Sequence, residues 1–129
     1  MTVPFLCVAV AFLLIMAPKG AASAAVARQT GRYDNKNPRD HHAQLTGWGK
    51  RALAAHQNAI EAFPPFAAAV IICHLAHGDA RWATILSLVF IASRVVYPIL
   101  YIADLSTLRS TVWSIGYAAT LALFVLPLL

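Results

Sequence analysis

From Ser110 to Leu129 the chain carries no charged side chain, and from Trp82 to Ala103 it carries one, Arg94. A helix needs about 20 mainly apolar residues to cross the roughly 30 Å hydrocarbon core of a bilayer. No water is available there to pair with the backbone, so such runs must be helices, which satisfy their own N–H and C=O groups. Two more segments share this character. Residues 2–27 hold a single cation, Lys19, and residues 47–77 contain an unbroken apolar stretch from Ala67 to Cys73. We therefore expect an all-α, four-helix transmembrane bundle forming one domain over 1–129. Its spans fall at 2–27, 47–77, 82–103 and 108–129, with a polar loop at 28–46.

Composition agrees: 60% hydrophobic and 12% charged residues are too apolar for a water-soluble domain of this size. A formal charge of +5 would suit nucleic acid. However, Arg28, Arg32, Lys36, Arg39, Lys50 and Arg51 lie in or beside one inter-helix segment, and the aromatic residues are not interleaved with them as stacking platforms require. Nucleic acid is thus not an expected partner; the lipid bilayer is. Cations clustered in this way mark a cytoplasmic face. With an even number of spans, the 28–51 segment and Arg109 share that side, and both termini and the 78–81 turn lie on the other. Cys7 and Cys73 sit inside apolar runs and suggest no disulfide framework.

The first span admits two readings. Ala-Ala-Ser-Ala-Ala-Val-Ala at 21–27 offers small-residue cleavage sites of the kind that follow a signal core, but no Lys or Arg precedes that core. We expect Met1 to Ala27 to be retained as a helix, with Lys19 snorkelling to the interface. Residues 28–47 are turn-rich and charged and read as a surface loop. The adjacent His41 and His42 would diverge on any regular element, and no cysteine or acidic pair completes a ligand spacing, so no metal site is expected. His74 and His77, with Asp79 close by, read as polar residues at a helix end. Pro64 and Pro65 predict a kink close to Glu61, and Pro98 a bend between Tyr97 and Tyr101. Asp104 or Ser106 is expected to cap the last helix.

Polar residues inside these spans are the candidate functional groups, because they are costly there. Arg51, Asn58 and Glu61 fall within an arc of roughly 80° on the second helix. Arg94, Tyr97 and Tyr101 share one face of the third, by their spacings of three and four. Arginine recognises carboxylates in a bidentate way, a phenol or guanidinium stabilises a thiolate or oxyanion, and Glu61 can hold an ammonium group. Such a set suits a small, anionic, amino-bearing ligand such as a peptide thiol. It equally suits a structural role, in which Glu61 and Arg94 neutralise each other and Asn58 bridges helices.

The pattern Arg51-x6-Asn58-x2-Glu61-x2-Pro64-x-Phe66, then Arg94-x2-Tyr97-x3-Tyr101 and Arg109 at the head of the last helix, resembles the MAPEG family, the membrane-associated proteins in eicosanoid and glutathione metabolism. The likeness covers nearly the whole chain. Gly-Arg-Tyr-Asp-Asn-Lys-Asn-Pro-Arg at 31–39 is similar to its short bacterial branch, which implies a bacterial inner membrane. The resemblance implies a left-handed bundle assembled as a homotrimer, with glutathione as cosubstrate held between subunits near the cytoplasmic face and a hydrophobic small molecule as its reaction partner. It implies that Asn58 and Glu61 contact glutathione, that Tyr97 and Tyr101 help to hold it, and that Arg109 favours its thiolate; taken with the two polar stripes, the expected cofactor-binding residues are Arg51, Asn58, Glu61, Arg94 and Tyr97, and the expected catalytic residues Arg109 and Tyr101. One departure is Ala54, where family members place an arginine four residues before the Asn; Arg51 lies a turn earlier on nearly the same face.

The charge asymmetry predicts that Asn35→Cys, on a background lacking Cys7 and Cys73, reacts with an impermeant maleimide only after cells are opened. Labelling of intact cells would reverse the orientation.

Overall fold

A computed structural model describes residues 1–32 and 34–129. It is all-helical, with no strand among the described residues: α1 (Val3–Leu14), α2 (Met16–Thr30), α3 (Pro38–Ala43), α4 (Gly47–Leu75), α5 (Ala80–Ile102) and α6 (Ser106–Val125), closed by a 3-10 turn at Leu126–Leu128. Four stretches are long and apolar enough to cross a membrane: Val3–Thr30, Gly47–Leu75, Ala80–Ile102 and Ser106–Leu128. These match the four expected spans to within a turn at most ends.

The first span is two helices because of Pro18. Without an N–H, Pro18 cannot bond the Leu14 carbonyl, and the ladder breaks at Ile15. The Ile15 carbonyl is taken up by α4, where His56 Nδ1 donates to it at 2.9 Å. A carbonyl only accepts, so Nδ1 carries the proton. His56 thus stitches the first span to the second at the break.

The segment expected to be a loop is shorter and more ordered. α2 runs on to Thr30 and ends on Gly31, whose φ of 76° is open to glycine at little cost. The chain then forms α3, which starts with Pro38 and carries Asp40 in its first turn, both favoured at a helix start. Gln29 clasps the far end of the segment: its Nε2 donates to Thr46 O at 3.2 Å, and Thr46 N donates to its Oε1 at 3.0 Å. Tyr33, part of the 31–39 pattern, lies outside the described residues. Lys36 N–H donates to Asp34 Oδ1 at 2.8 Å and so holds that carboxyl below the usual range.

α4 runs unbroken through Pro64 and Pro65, which leave the Ile60 and Glu61 carbonyls without their usual donors. Asp79 caps α5 by accepting from Trp82 N–H at 2.9 Å. At the head of α6, neither Asp104 nor Ser106 acts as the expected cap. Leu105 holds the N-cap position and no side chain bonds there. Asp104 sits at φ 64°, and its carboxylate lies 3.7 Å from Arg51 Nη1 instead.

Helix order and antiparallel packing bring the C-terminal ends of α2 and α5 and the N-terminal ends of α4 and α6 to one end of the bundle. Arg28, Arg32, Lys36, Arg39, Lys50, Arg51 and Arg109 gather at that basic end. The core toward the other end joins Cys7, Ala11, Phe66, Val70, Phe90 and Leu123, with Phe66 and Phe90 stacked at 3.8 Å. Large apolar side chains such as Ile71, Leu75, Leu88, Ile99 and Leu121 point outward, as expected where the surrounding solvent is hydrocarbon.

At the basic end α2 and α4 touch closely through small residues. A Cβ on Gly49 would stand 2.6 Å from Ala25 Cβ. Gly49→Ala adds about 1 kcal/mol of helix propensity, but overpacking typically costs about 1–3 kcal/mol. Net destabilisation is therefore expected, read as a lower melting temperature in detergent; an unchanged or higher one would show that α2 can shift without loss.

Candidate functional site

Arg94 is the centre of the polar groups. It lies on α5 about 12 Å below the basic end, taking 1.5 Å per residue back from Ile102, and is only 8% exposed. Its Nη1 donates to Asn58 Oδ1 of α4 at 3.0 Å, and its Nε to Ser93 Oγ at 3.3 Å. Ser93 can accept because its own hydroxyl donates to the Phe90 carbonyl at 2.7 Å. The guanidinium also rests over the rings of Tyr97, at 4.9 Å, and Phe90, at 5.5 Å. No carboxylate pairs with it among the described residues. Nη2 makes no hydrogen bond there and lies beside Gly116 of α6.

Gly116 is what lets α6 approach. A Cβ at that position would strike Ser93 Oγ and stand 3.2 Å from Arg94 Nη2. In front of the guanidinium opens a cleft of about 150 Å³ between α4, α5 and α6, bordered by Asn58, Glu61, Arg94, Trp113, Tyr117 and Thr120. A second, wider cleft of about 410 Å³ lies nearer the basic end and is lined by Tyr97, Tyr101, Arg109, Ser110, Trp113 and Ser114. Trp113 walls both. In the second cleft Arg109 sits over the Tyr101 ring at 4.2 Å, and Tyr97 meets Tyr101 edge-on at 5.6 Å.

Six of the seven residues singled out in the sequence therefore line two adjoining clefts: Asn58, Glu61 and Arg94 the first, Tyr97, Tyr101 and Arg109 the second, with the Arg94–Tyr97 contact joining them. Arg51 is placed elsewhere. Its Nε donates to the Ile102 carbonyl at 3.1 Å and Nη1 faces Asp104, so it clamps the end of α5 and the turn into α6. Nor do Glu61 and Arg94 neutralise each other. Glu61 is exposed, and it is the amide of Asn58 that Arg94 engages. Among the described residues no group of three or more His, Cys, Asp or Glu side chains converges as a metal site would require.

Sequence reasoning missed Ser93, Gly116 and the pair Trp113–Tyr117, stacked at 5.1 Å on the outer face of α6. The spacing of four puts that pair on one helix face, and a small residue in an apolar helix is the usual mark of close approach. Both signals were present but not distinctive, since tryptophan and tyrosine near a span's end also serve as interfacial anchors.

The model of the MAPEG family matches residues 3–129, and the chain belongs to that family. No curated protein and no solved structure matches it. Family and fold together make it a multi-pass integral membrane protein.

Asn58→Leu removes the one hydrogen bond that, among the described residues, joins Arg94 to another helix. Interhelical hydrogen bonds in membrane proteins contribute about 0.6–1.7 kcal/mol, so a loss of that order is expected in an unfolding titration. Asn58→Asp, which gives the guanidinium a carboxylate, is expected to keep or raise stability. If Asn58→Leu matches the unsubstituted protein, the contact does not hold Arg94.

Proposed function

We propose that this MAPEG-family protein is a glutathione-dependent transferase or peroxidase acting on hydrophobic electrophiles that reach it from the bilayer. The observation that carries the reading is a buried guanidinium, Arg94, which among the described residues has no carboxylate partner and no hydrogen bond at Nη2, at the edge of a cleft that also bears Glu61. An ammonium group on the ligand answers Glu61, and a ligand carboxylate answers Arg94 in the fork geometry of guanidinium recognition. Asn58 and Tyr97 position the same ligand through the groups they already present around Arg94.

Chemistry at the thiol falls to the second cleft. A cysteine-type thiol with a pKa near about 8.5 is mostly protonated at neutral pH. A cation within about 4–6 Å lowers an acid's pKa by about 1–3 units. Arg109, held over Tyr101, supplies that cation near the aqueous end, and the Tyr101 phenol can donate to the sulfur. The thiol proton leaves to solvent, the thiolate attacks the electrophilic carbon, and a C–S bond forms as that carbon's leaving group or π-bond takes the displaced electrons. Both clefts open on the outer surface of the bundle, and a homotrimer in which neighbouring copies cover them completes the proposal, with the basic end and the 28–51 segment facing the cytoplasm of a bacterial inner membrane.

A second reading, a non-catalytic bundle that binds lipid or a protein partner, is favoured by Arg51, which is already occupied as a clamp. Calorimetric titration of the detergent-solubilised protein with glutathione separates the two. The enzyme reading expects saturable binding, a several-fold loss of affinity in Glu61→Gln, and in Arg109→Leu a tenfold or greater fall in conjugation rate with binding largely kept, the fold-change that one pKa unit implies. Folded protein that neither binds glutathione nor is protected by it against melting leaves the silent bundle.

A further inference from the structure

Ser93 does more than a hydroxyl inside a span needs to do for itself. Thr84, Thr111, Ser114 and Thr120 each donate to the carbonyl four residues back, the usual local solution for Ser and Thr within a helix. Among the described residues, none of these four oxygens accepts from another side chain. Ser93 bonds back by three residues, to the Phe90 carbonyl at 2.7 Å, and its Oγ also accepts from Arg94 Nε–H at 3.3 Å. It is buried and is not part of the lining of either cleft.

A guanidinium is planar and rigid, so two fixed nitrogens determine where the third one points. Asn58 Oδ1 of α4 holds Nη1 at 3.0 Å, and Ser93 Oγ of α5 holds Nε. The remaining nitrogen, Nη2, comes out beside Gly116 of α6, where an added Cβ would stand 3.2 Å from it. Gly116 itself borders the cleft shared by Asn58, Glu61 and Arg94. The same Cβ would strike Ser93 Oγ, so hydroxyl and guanidinium are packed against one glycine.

We propose that Ser93 is a positioning residue of the site: by holding Nε, with Gly116 leaving the room, it turns Nη2 of Arg94 into the cleft, where that nitrogen receives the ligand's carboxylate. This rests on the reading of Arg94 as the carboxylate anchor. Without the hydroxyl, the guanidinium keeps its Asn58 bond but pivots about it, with only the faces of Phe90 and Tyr97 to limit the swing. The competing account makes Ser93 simply a small residue under α6. Ser93→Ala separates the two, because it keeps the small side chain and removes only the oxygen.

The test has two arms, both on the full-length protein in detergent, with thermal melts to check that each variant is folded. The first follows arginine Nε–H signals by NMR, the Arg94 signal being the one lost in Arg94→Lys. Exchange of that proton with water is expected to be slow, and to quicken about fivefold in Ser93→Ala, the fold-change that one ordinary intramolecular hydrogen bond carries. Thr84→Ala, which removes a hydroxyl nearer the start of the same helix, should leave it unchanged. The second arm measures conjugation of glutathione to a soluble aryl halide. Ser93→Ala is expected to raise KM for glutathione about fivefold and to keep kcat, since a contact made equally in the ground and transition states moves KM alone. An Arg94 Nε–H indifferent to Ser93→Ala overturns the positioning role whether or not glutathione binds. So does quickened exchange with an unchanged KM, or with a fall in kcat alone. Folded, unsubstituted protein that neither binds nor turns over glutathione would instead sink the transferase reading, and with it the ligand that Arg94 is positioned for, while the exchange rate still decides whether Ser93 holds Arg94.

Discussion

The bundle depends on how a guanidinium is carried into a membrane-spanning helix without a counter-ion. Placing an arginine at the centre of a spanning helix costs about 2.5–3.5 kcal/mol on insertion scales. Against this stand the two hydrogen bonds that Arg94 donates to Asn58 and Ser93, at about 0.6–1.7 kcal/mol each, and two ring contacts at about 0.5–1 kcal/mol each. The terms come close to cancelling, so Arg94 is tolerated, not strongly stabilised. What distinguishes it from a salt bridge is that every partner is neutral. Its full charge remains, and that charge organises the cleft in front of it.

The same requirement, that polar groups find partners inside the chain, explains the departures from regular helix. Pro18 breaks the first span, and beside the break the Ile15 carbonyl accepts a hydrogen bond from His56 of the neighbouring helix. Ile102, at the end of α5, is met by Arg51. Both contacts run from α4 to another span, so α4 is the element that ties the first span and α5 together. At the opposite end no such side chain is needed, because the turn between α4 and α5 closes on itself through Asp79 and through Gly78, where an added Cβ would press on Cys73.

The four spans were legible because uncharged runs of this length leave the backbone a single solution. The grouping of Asn58 with Glu61, and of Arg94 with Tyr97 and Tyr101, was legible because helical spacing fixes which residues share a face. Which face meets which is a tertiary matter, and there the sequence was silent. Arg51 lies on the same stripe as Asn58, yet the end of α5 comes within its reach and draws it away. Asp104 is a good capping residue by type, but a left-handed backbone and the pull of Arg51 turn it from that task. Gly116 in an uncharged helix carries no visible message until Ser93 is found against it. α3 escaped notice because a six-residue helix has too few turns to show a periodicity.

The placement of the two clefts along the bundle bears on what they can do together. Arg109 stands near the start of α6, and Gly116, level with Arg94, is seven residues farther on, about 10 Å deeper. A ligand reaching from Arg109 to Arg94 would thus have one part at the aqueous boundary and another within the apolar slab. The wall between these levels is Trp113, stacked on Tyr117, and both are exposed on the outer side of α6. A charged molecule can enter along the basic end without crossing hydrocarbon, while an apolar one can arrive sideways past the aromatic pair without entering water. Neither has to be fully desolvated or fully exposed to meet the other. That separation of approach routes follows from the depth of two arginines and one tryptophan, and it is what the proposed reaction between a water-borne and a lipid-borne reactant would require of a bundle this small.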